Sequence, residues 1–172
     1  MSVKKTKKWI WNNMKIRIKK LHEDAVIPKY QTNGASGFDL HALEDTYVYP
    51  GATKLVRTGL AVDVGPGYEL QVRPRSGLSL KTPLRVANAP GTVDADYRGE
   101  ICVIMTNTST DFSPRVDEFG FILTNPNGEQ HIKKGDRIAQ GVVCPVVQAD
   151  IEVVDYLDDT NRGSGAFGST GK

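Results

Sequence analysis

The sequence predicts an all-β fold of jelly-roll type, a sandwich or barrel of short strands carrying one short helix. Three observations lead there. Apolar residues recur at every second position in many short runs, and turn signals rich in Gly, Pro and Asn separate those runs. The 17 glycines and nine prolines are also spread along the 172 residues rather than gathered in one linker.

The first run begins at Met14, where Ile16, Ile18 and Leu21 alternate with Lys15, Arg17 and Lys19 as in a half-buried strand. Further strands are predicted over 46–49, 53–64, 68–73, 100–106, 119–123, 137–147 and 151–155. Turns fall at Pro50-Gly51, Gly65-Pro66-Gly67, Pro90-Gly91 and the stretch from Asn125 to Gly128. One helix is expected over 76–82, stopped by Pro83. Arg75, Ser76 and Gly77 then lie at its start, where free backbone N–H groups, a cation and a hydroxyl make an anion site.

Composition describes one soluble domain, 39% hydrophobic and 24% charged, long enough to bury a real core. The net charge of +2 hides an asymmetry. Residues 1–20 hold Lys4, Lys5, Lys7, Lys8, Lys15, Arg17, Lys19 and Lys20 and no acid. The rest of the chain has 14 basic against 20 acidic residues, a net −6. Bulk attraction to nucleic acid is therefore excluded for the core, and any phosphate site must be local. Residues 1–13, with Trp9 and Trp11 among lysines, read as a disordered extension. Cys102 and Cys144 sit in apolar runs and read as buried free thiols of a reducing compartment. His22, His41 and His131 lack the spacing of a zinc site. With no signal peptide or membrane span in view, the expected location is the cytoplasm.

Two internal segments and the tail carry chemistry. In Ala89-Pro-Gly91-Thr-Val-Asp94-Ala-Asp96-Tyr97-Arg98-Gly99-Glu100, a tight turn is followed by a carboxylate and an aromatic ring three residues apart. In Gly135-Asp136-Arg137-Ile138-Ala139-Gln140, a turn feeds an apolar strand, Asp136 and Arg137 read as a local ion pair, and Gln140 needs hydrogen-bond partners. The tail shows a formal G-x-G-x-x-G at Gly163, Gly165 and Gly168. An acidic, turn-like run precedes it, so it is no dinucleotide fingerprint. It reads instead as a flexible, donor-rich arm over 162–172, bearing Arg162 and Phe167 and suited to closing over an anion with a flat base.

In this order, together with Gly34-Ala-Ser-Gly37-Phe-Asp39-Leu40, these segments resemble the five motifs of the homotrimeric dUTP nucleotidohydrolases (dUTPases), over about Met14 to Gly171. The resemblance implies hydrolysis of dUTP to dUMP and pyrophosphate in a trimer whose active sites are shared between subunits. It makes Asp94 the base that activates the attacking water. Tyr97 becomes the ring that packs on deoxyribose and excludes a 2′-hydroxyl. Asn88 and the backbone of Gly91, Thr92, Val93 and Asp94 read uracil. Arg75, Ser76, Gly77 and Gln140 hold the phosphates, with Arg162, Gly168, Ser169 and Thr170 reaching them from a lid whose Phe167 stacks on the base. Mg²⁺ is the implied cofactor, bound by triphosphate oxygens and water with no direct protein ligand. Asp39 is expected to be structural.

The chain departs from compact members between Asn107 and Gly135, where it is longer by roughly fifteen residues, enough for an added hairpin over about 108–130. That hairpin reads as a surface embellishment, with a partner-binding or trimer-supporting element as the alternative, and some viral and phage members carry such insertions. A phage-encoded chain would work in the host cytoplasm. Two other readings compete. The dCTP deaminases share the fold and the arginine-serine motif, but their catalytic glutamate aligns with apolar Ile104 here. A regulatory nucleotide binder without turnover is disfavoured by the intact Asp94 and Tyr97.

Overall fold

The computed structural model describes residues 14–166, with all of their side chains except those of 124 and 125. Among these residues the chain forms β1 (Arg17–Lys20), β2 (Phe38–His41), β3 (Thr46–Val48), β4 (Thr53–Arg57), β5 (Leu60–Asp63) and β6 (Tyr68–Arg73). Helix α1 (Ser76–Lys81) follows, then β7 (Leu84–Val86), β8 (Gly91–Val93), β9 (Cys102–Asn107), β10 (Pro114–Val116), β11 (Ile122–Pro126), β12 (Gln130–Ile132) and β13 (Arg137–Pro145). One sheet has the order β2-β13-β6-β8 and a second the order β4-β9-β7. The pairs β1-β5, β12-β3 and β10-β11 complete the fold, and every pairing is antiparallel. The nearly all-β architecture with one short helix is the expected class.

Period two explains how the two larger sheets share a core. Leu70 and Val72 are buried in β6, and Val103, Met105 and Asn107 in β9, while the residues between them are only partly covered. Leu40, Val56, Leu60, Val62, Leu84 and Ile138 close the same apolar cluster. Each such side chain contributes about 1.5–3 kcal/mol by leaving water.

Several predicted strands change. The run 53–64 is broken at Thr58-Gly59, where Gly59 takes φ 70°. That left-handed residue turns the chain from β4, paired with β9, into β5, paired with β1. The buried Thr58 hydroxyl donates to the Ile101 carbonyl at 2.6 Å and holds the junction. Gly91 opens β8 rather than a turn. The run 119–123 is largely a hairpin tip, because an Asp117 carboxylate oxygen accepts from the N–H groups of Phe119 (2.9 Å) and Phe121 (2.8 Å). Its flanks, β10 and β11, pair instead. Residues 151–155 form no strand: Ile151 and Val153 are over 90% exposed, with no neighbouring strand to bond. The two cysteines are free but only half-buried.

Asn107 fixes the base of the hairpin. Wholly buried, its Nδ2 donates to the carbonyls of Val48 and Gly128, both at 2.8 Å, and its Oδ1 accepts from Ser109 N–H at 2.9 Å. Asn107→Leu keeps the volume and orphans all three partners. The expected cost is on the order of 3 kcal/mol, read as a lower urea midpoint with an unchanged slope.

Candidate active site

The phosphate-type motif forms where β6 runs out. Pro74 cannot continue the ladder, and Arg75 caps α1 in extended conformation (φ −94°, ψ 126°). The Arg75 carbonyl accepts from Ser79 N–H at 3.0 Å, but among the described residues no side-chain hydrogen bond caps the helix start. The backbone donors of that turn are thus left for solvent or a ligand. Arg75 Nε lies 2.8 Å from Asp39 Oδ1, and its Nη1 donates to the Arg137 carbonyl at 3.0 Å. Arg137 Nη1 in turn lies 3.2 Å from Asp39 Oδ2. One carboxylate, on a side chain 11% exposed, therefore faces two guanidinium groups, and the cluster keeps a net positive charge. Gln140 Nε2 donates to the Pro74 carbonyl at 2.9 Å and tethers the loop into the helix. Arg137 makes its pair with Asp39, and the Asp136 carboxylate instead accepts from Lys133 N–H at 2.9 Å. The expected Asp136–Arg137 pair does not form, because both arginines converge on the buried charge.

Beside this cluster opens a cleft of about 350 Å³, lined by Arg75, Leu78, Arg137, Gln130 and His131. His131 stacks on its cross-strand partner Tyr47, with centroids 4.2 Å apart and planes 8° apart, and its Nε2 lies 3.1 Å from Asp45. Sequence reasoning missed His131, since only the β3-β12 register brings it to Tyr47.

The other motif sits on β8, an edge strand of the four-stranded sheet, which leaves half its N–H and C=O groups unpaired by the ladder. The Asn88 amide lies over Gly91, where a Cβ would come within 3.0 Å of Nδ2. Asp94 follows the strand, exposed, its carboxylate without a hydrogen-bond partner among the described residues. Tyr97 N–H donates to the Asp94 carbonyl at 3.2 Å, and Tyr97 Oη donates to the Glu100 carbonyl at 3.1 Å.

One chain does not bring the two groups together. The β6-β8 ladder runs from Leu70↔Val93 to Val72↔Gly91. Asp94 leaves at one end and Arg75 at the other. Between Arg73 and the level of Asp94 lie four residue steps, roughly 13 Å at ~3.3 Å per step. Arg162 stays on its own turn, its Nε donating to the Gly165 carbonyl at 2.9 Å. Phe167, Gly168, Ser169 and Thr170 lie outside the described residues. Among the described residues, no three metal-binding side chains gather.

The dUTPase family model matches residues 23–118 and 113–171. The chain belongs to the dUTPase family. It is 52% identical to the deoxyuridine 5′-triphosphate nucleotidohydrolase of Nautilia profundicola over 92% of this chain and all of that one. A dUTPase variant of Staphylococcus bacteriophage 80alpha with dUpNHpp superposes with a TM-score of 0.82 at 26% identity, covering 93% of this chain and all of that one. A variant dUTPase of S. aureus phage phi11, described for its coordination of a structural Mg(II) ion, gives a TM-score of 0.70 at 25% identity, covering 83% and 98%. The chain is thus an enzyme, a nucleotidohydrolase acting on dUTP. The two segments matched by the dUTPase model meet at 113–118, inside the β10-β11 hairpin.

His41, two residues beyond Asp39 on β2, has a buried Nδ1 with no hydrogen-bond partner among the described residues. Burial pushes its imidazole below the ordinary 6.5; the charges of Arg137 and Arg75 act the same way, and Asp39 opposes them. The unfolded chain therefore binds this proton more readily than the native dUTPase does. His41 thus lowers stability as pH falls through about 6.5, and the penalty is absent well above it. Thermal melts from pH 8 to pH 5 should show a fall in Tm that is smaller in His41→Gln.

Proposed function

We propose that the enzyme cleaves dUTP to dUMP and pyrophosphate within a homotrimer, using Asp94 of one subunit opposite the Arg75 cradle of another. The separation of Asp94 from Arg75 along the β6-β8 ladder carries this reading, because each group is open and neither can serve a single triphosphate alone. The arm over 146–161 supports assembly. Val147, Ile151 and Val153 are more than 90% exposed, and Tyr156 and Leu157 more than 80%, in a segment of strand-like composition that a neighbouring copy would cover.

In this reading uracil meets the free edge of β8, with Asn88 and the backbone from Gly91 through Thr92 and Val93 to Asp94 supplying donors and acceptors. Tyr97 is the wall against deoxyribose. The triphosphate lies on Arg75, Ser76 and Gly77, where the uncapped turn and the guanidinium meet negative oxygens, and Gln140 adds a donor. Arg162 with Gly168, Ser169 and Thr170 closes over the phosphates, and Phe167 covers the base. Asp94 orients a water and takes its proton as the oxygen bonds to the α-phosphorus. The bridging α–β P–O bond breaks, and pyrophosphate leaves.

Mg²⁺ fits this site as a partner of phosphate oxygens, neutralising their charge, since Asp39 is already committed to two arginines. The residues that hold the Mg²⁺–triphosphate are then Arg75, Ser76, Gly77 and Gln140. The exposed Phe119, Phe121 and Ile122 on the inserted hairpin make it the surface for any protein partner, and the cytoplasm is the expected site of action.

Asp94→Asn should keep dUTP binding and lower pyrophosphate release about a thousandfold; turnover near that of the parent would remove Asp94 from its role. A chain truncated after Asn161 should fold and sediment like the parent while losing most turnover. Full activity in that chain would remove the lid.

A further inference from the structure

We propose that Gly99 is a positioning residue for sugar selection: it is the space into which the Tyr97 ring folds, and it fixes the face that the ring presents. The proposal rests on Tyr97 as the deoxyribose wall and adds what holds that wall still. A Cβ on Gly99 would come to 2.5 Å from Tyr97 Cζ and closer still to Oη. No rotation of the ring in place relieves such an approach, so any side chain at 99 must drive the phenol outward. Gly99 does not take a positive φ, so its backbone suits alanine and the constraint is space alone.

The rest of the loop holds the folded ring in register. Tyr97 Oη donates to the Glu100 carbonyl at 3.1 Å, which ties the ring tip to the chain three residues on. Glu100 is itself fixed, its carboxylate accepting from Arg57 Nε at 3.0 Å and from Gly59 N–H at 2.7 Å. Arg98, between the two, donates to the carbonyls of Ala95 (2.6 Å) and Tyr97 (2.9 Å) and pairs with Asp63 at 3.3 Å. Tyr97 N–H bonds the Asp94 carbonyl, which closes the backbone turn between the ring and the proposed base. This bracing matters because Tyr97 is 46% exposed. An aromatic side chain that exposed would otherwise change rotamer within nanoseconds. A wall that rejects one added hydroxyl by shape has to stay in place.

The test compares kcat/KM for dUTP and UTP in the parent, Gly99→Ala, Tyr97→Ala and the double variant. Gly99→Ala should lower the dUTP:UTP ratio about tenfold, mainly by raising kcat/KM for UTP. In the Tyr97→Ala background, Gly99→Ala should change the ratio no further, because Gly99 acts only through the ring. A ratio unchanged by Gly99→Ala but lowered by Tyr97→Ala overturns the proposal, as does an equal shift by Gly99→Ala in both backgrounds. A ratio unchanged by Tyr97→Ala overturns the reading of Tyr97 and the proposal with it. Should Gly99→Ala not fold, Tyr97→Phe decides: loss of the bond to Glu100 should lower the ratio about threefold, and an unchanged ratio overturns the proposal.

Discussion

The buried Asp39 carboxylate is the interaction on which the Arg75 side of the candidate site depends. Two guanidinium groups of like charge would repel each other and splay into solvent. The shared anion, 2.8 Å from Arg75 and 3.2 Å from Arg137, lets both stay near α1 with one positive charge in excess. The geometry comes from strand β13, which bonds β2 on one side and β6 on the other. Its register against β2 shifts between Arg137 and Ala139, so Ile138 is an extra residue. That bulge buries Ile138 and Ala139 in succession, and it places Gln140 opposite both Asp39 and Arg73. A regular strand would send alternate residues to opposite faces, and the arginine and glutamine would not serve the same loop.

Sequence reading reached the elements whose own residues carry the signal. Strand β6 and helix α1 lie where alternation and Pro83 put them, and β9 is offset by at most two residues. Strands of three or four residues, such as β7 and β12, offer too few alternations to register. The split of 53–64 was hidden because Thr58 and Gly59 do not interrupt the apolar pattern, and only the φ of Gly59 does. At the site, the residue types in each motif were legible and the pairings between motifs were not. Asp39 was legible as structural, but its two partners come from β13 register and from the exit of β6, which no local pattern encodes. His131 and the bracing of Arg98 by Asp63 are of the same kind.

The distribution of open and satisfied groups divides the molecule by purpose. Arg57, Glu100, Arg98 and Asp63 are paired among themselves, and the loop after β8 is held rigid by them. The Asp94 carboxylate, at the start of that loop, has no hydrogen-bond partner among the described residues. The first turn of α1 is likewise uncapped, although its Arg75 is anchored twice. Rigid supports under unsatisfied groups are the arrangement expected where a ligand, not the fold, completes the hydrogen bonding.

That arrangement also explains why the fold leaves so much apolar surface on one arm. A chain whose two half-sites lie at opposite ends of one ladder gains nothing by closing on itself. In the proposed assembly, covering Val147, Ile151 and Val153 on a neighbour would remove apolar area from water, and the same step would bring the proposed base of one subunit toward the Arg75 cluster of another. Burial and site assembly are then a single event. Its driving force is the hydrophobic effect, at about 25 cal/mol per Å² of apolar surface covered, rather than the polar contacts to substrate.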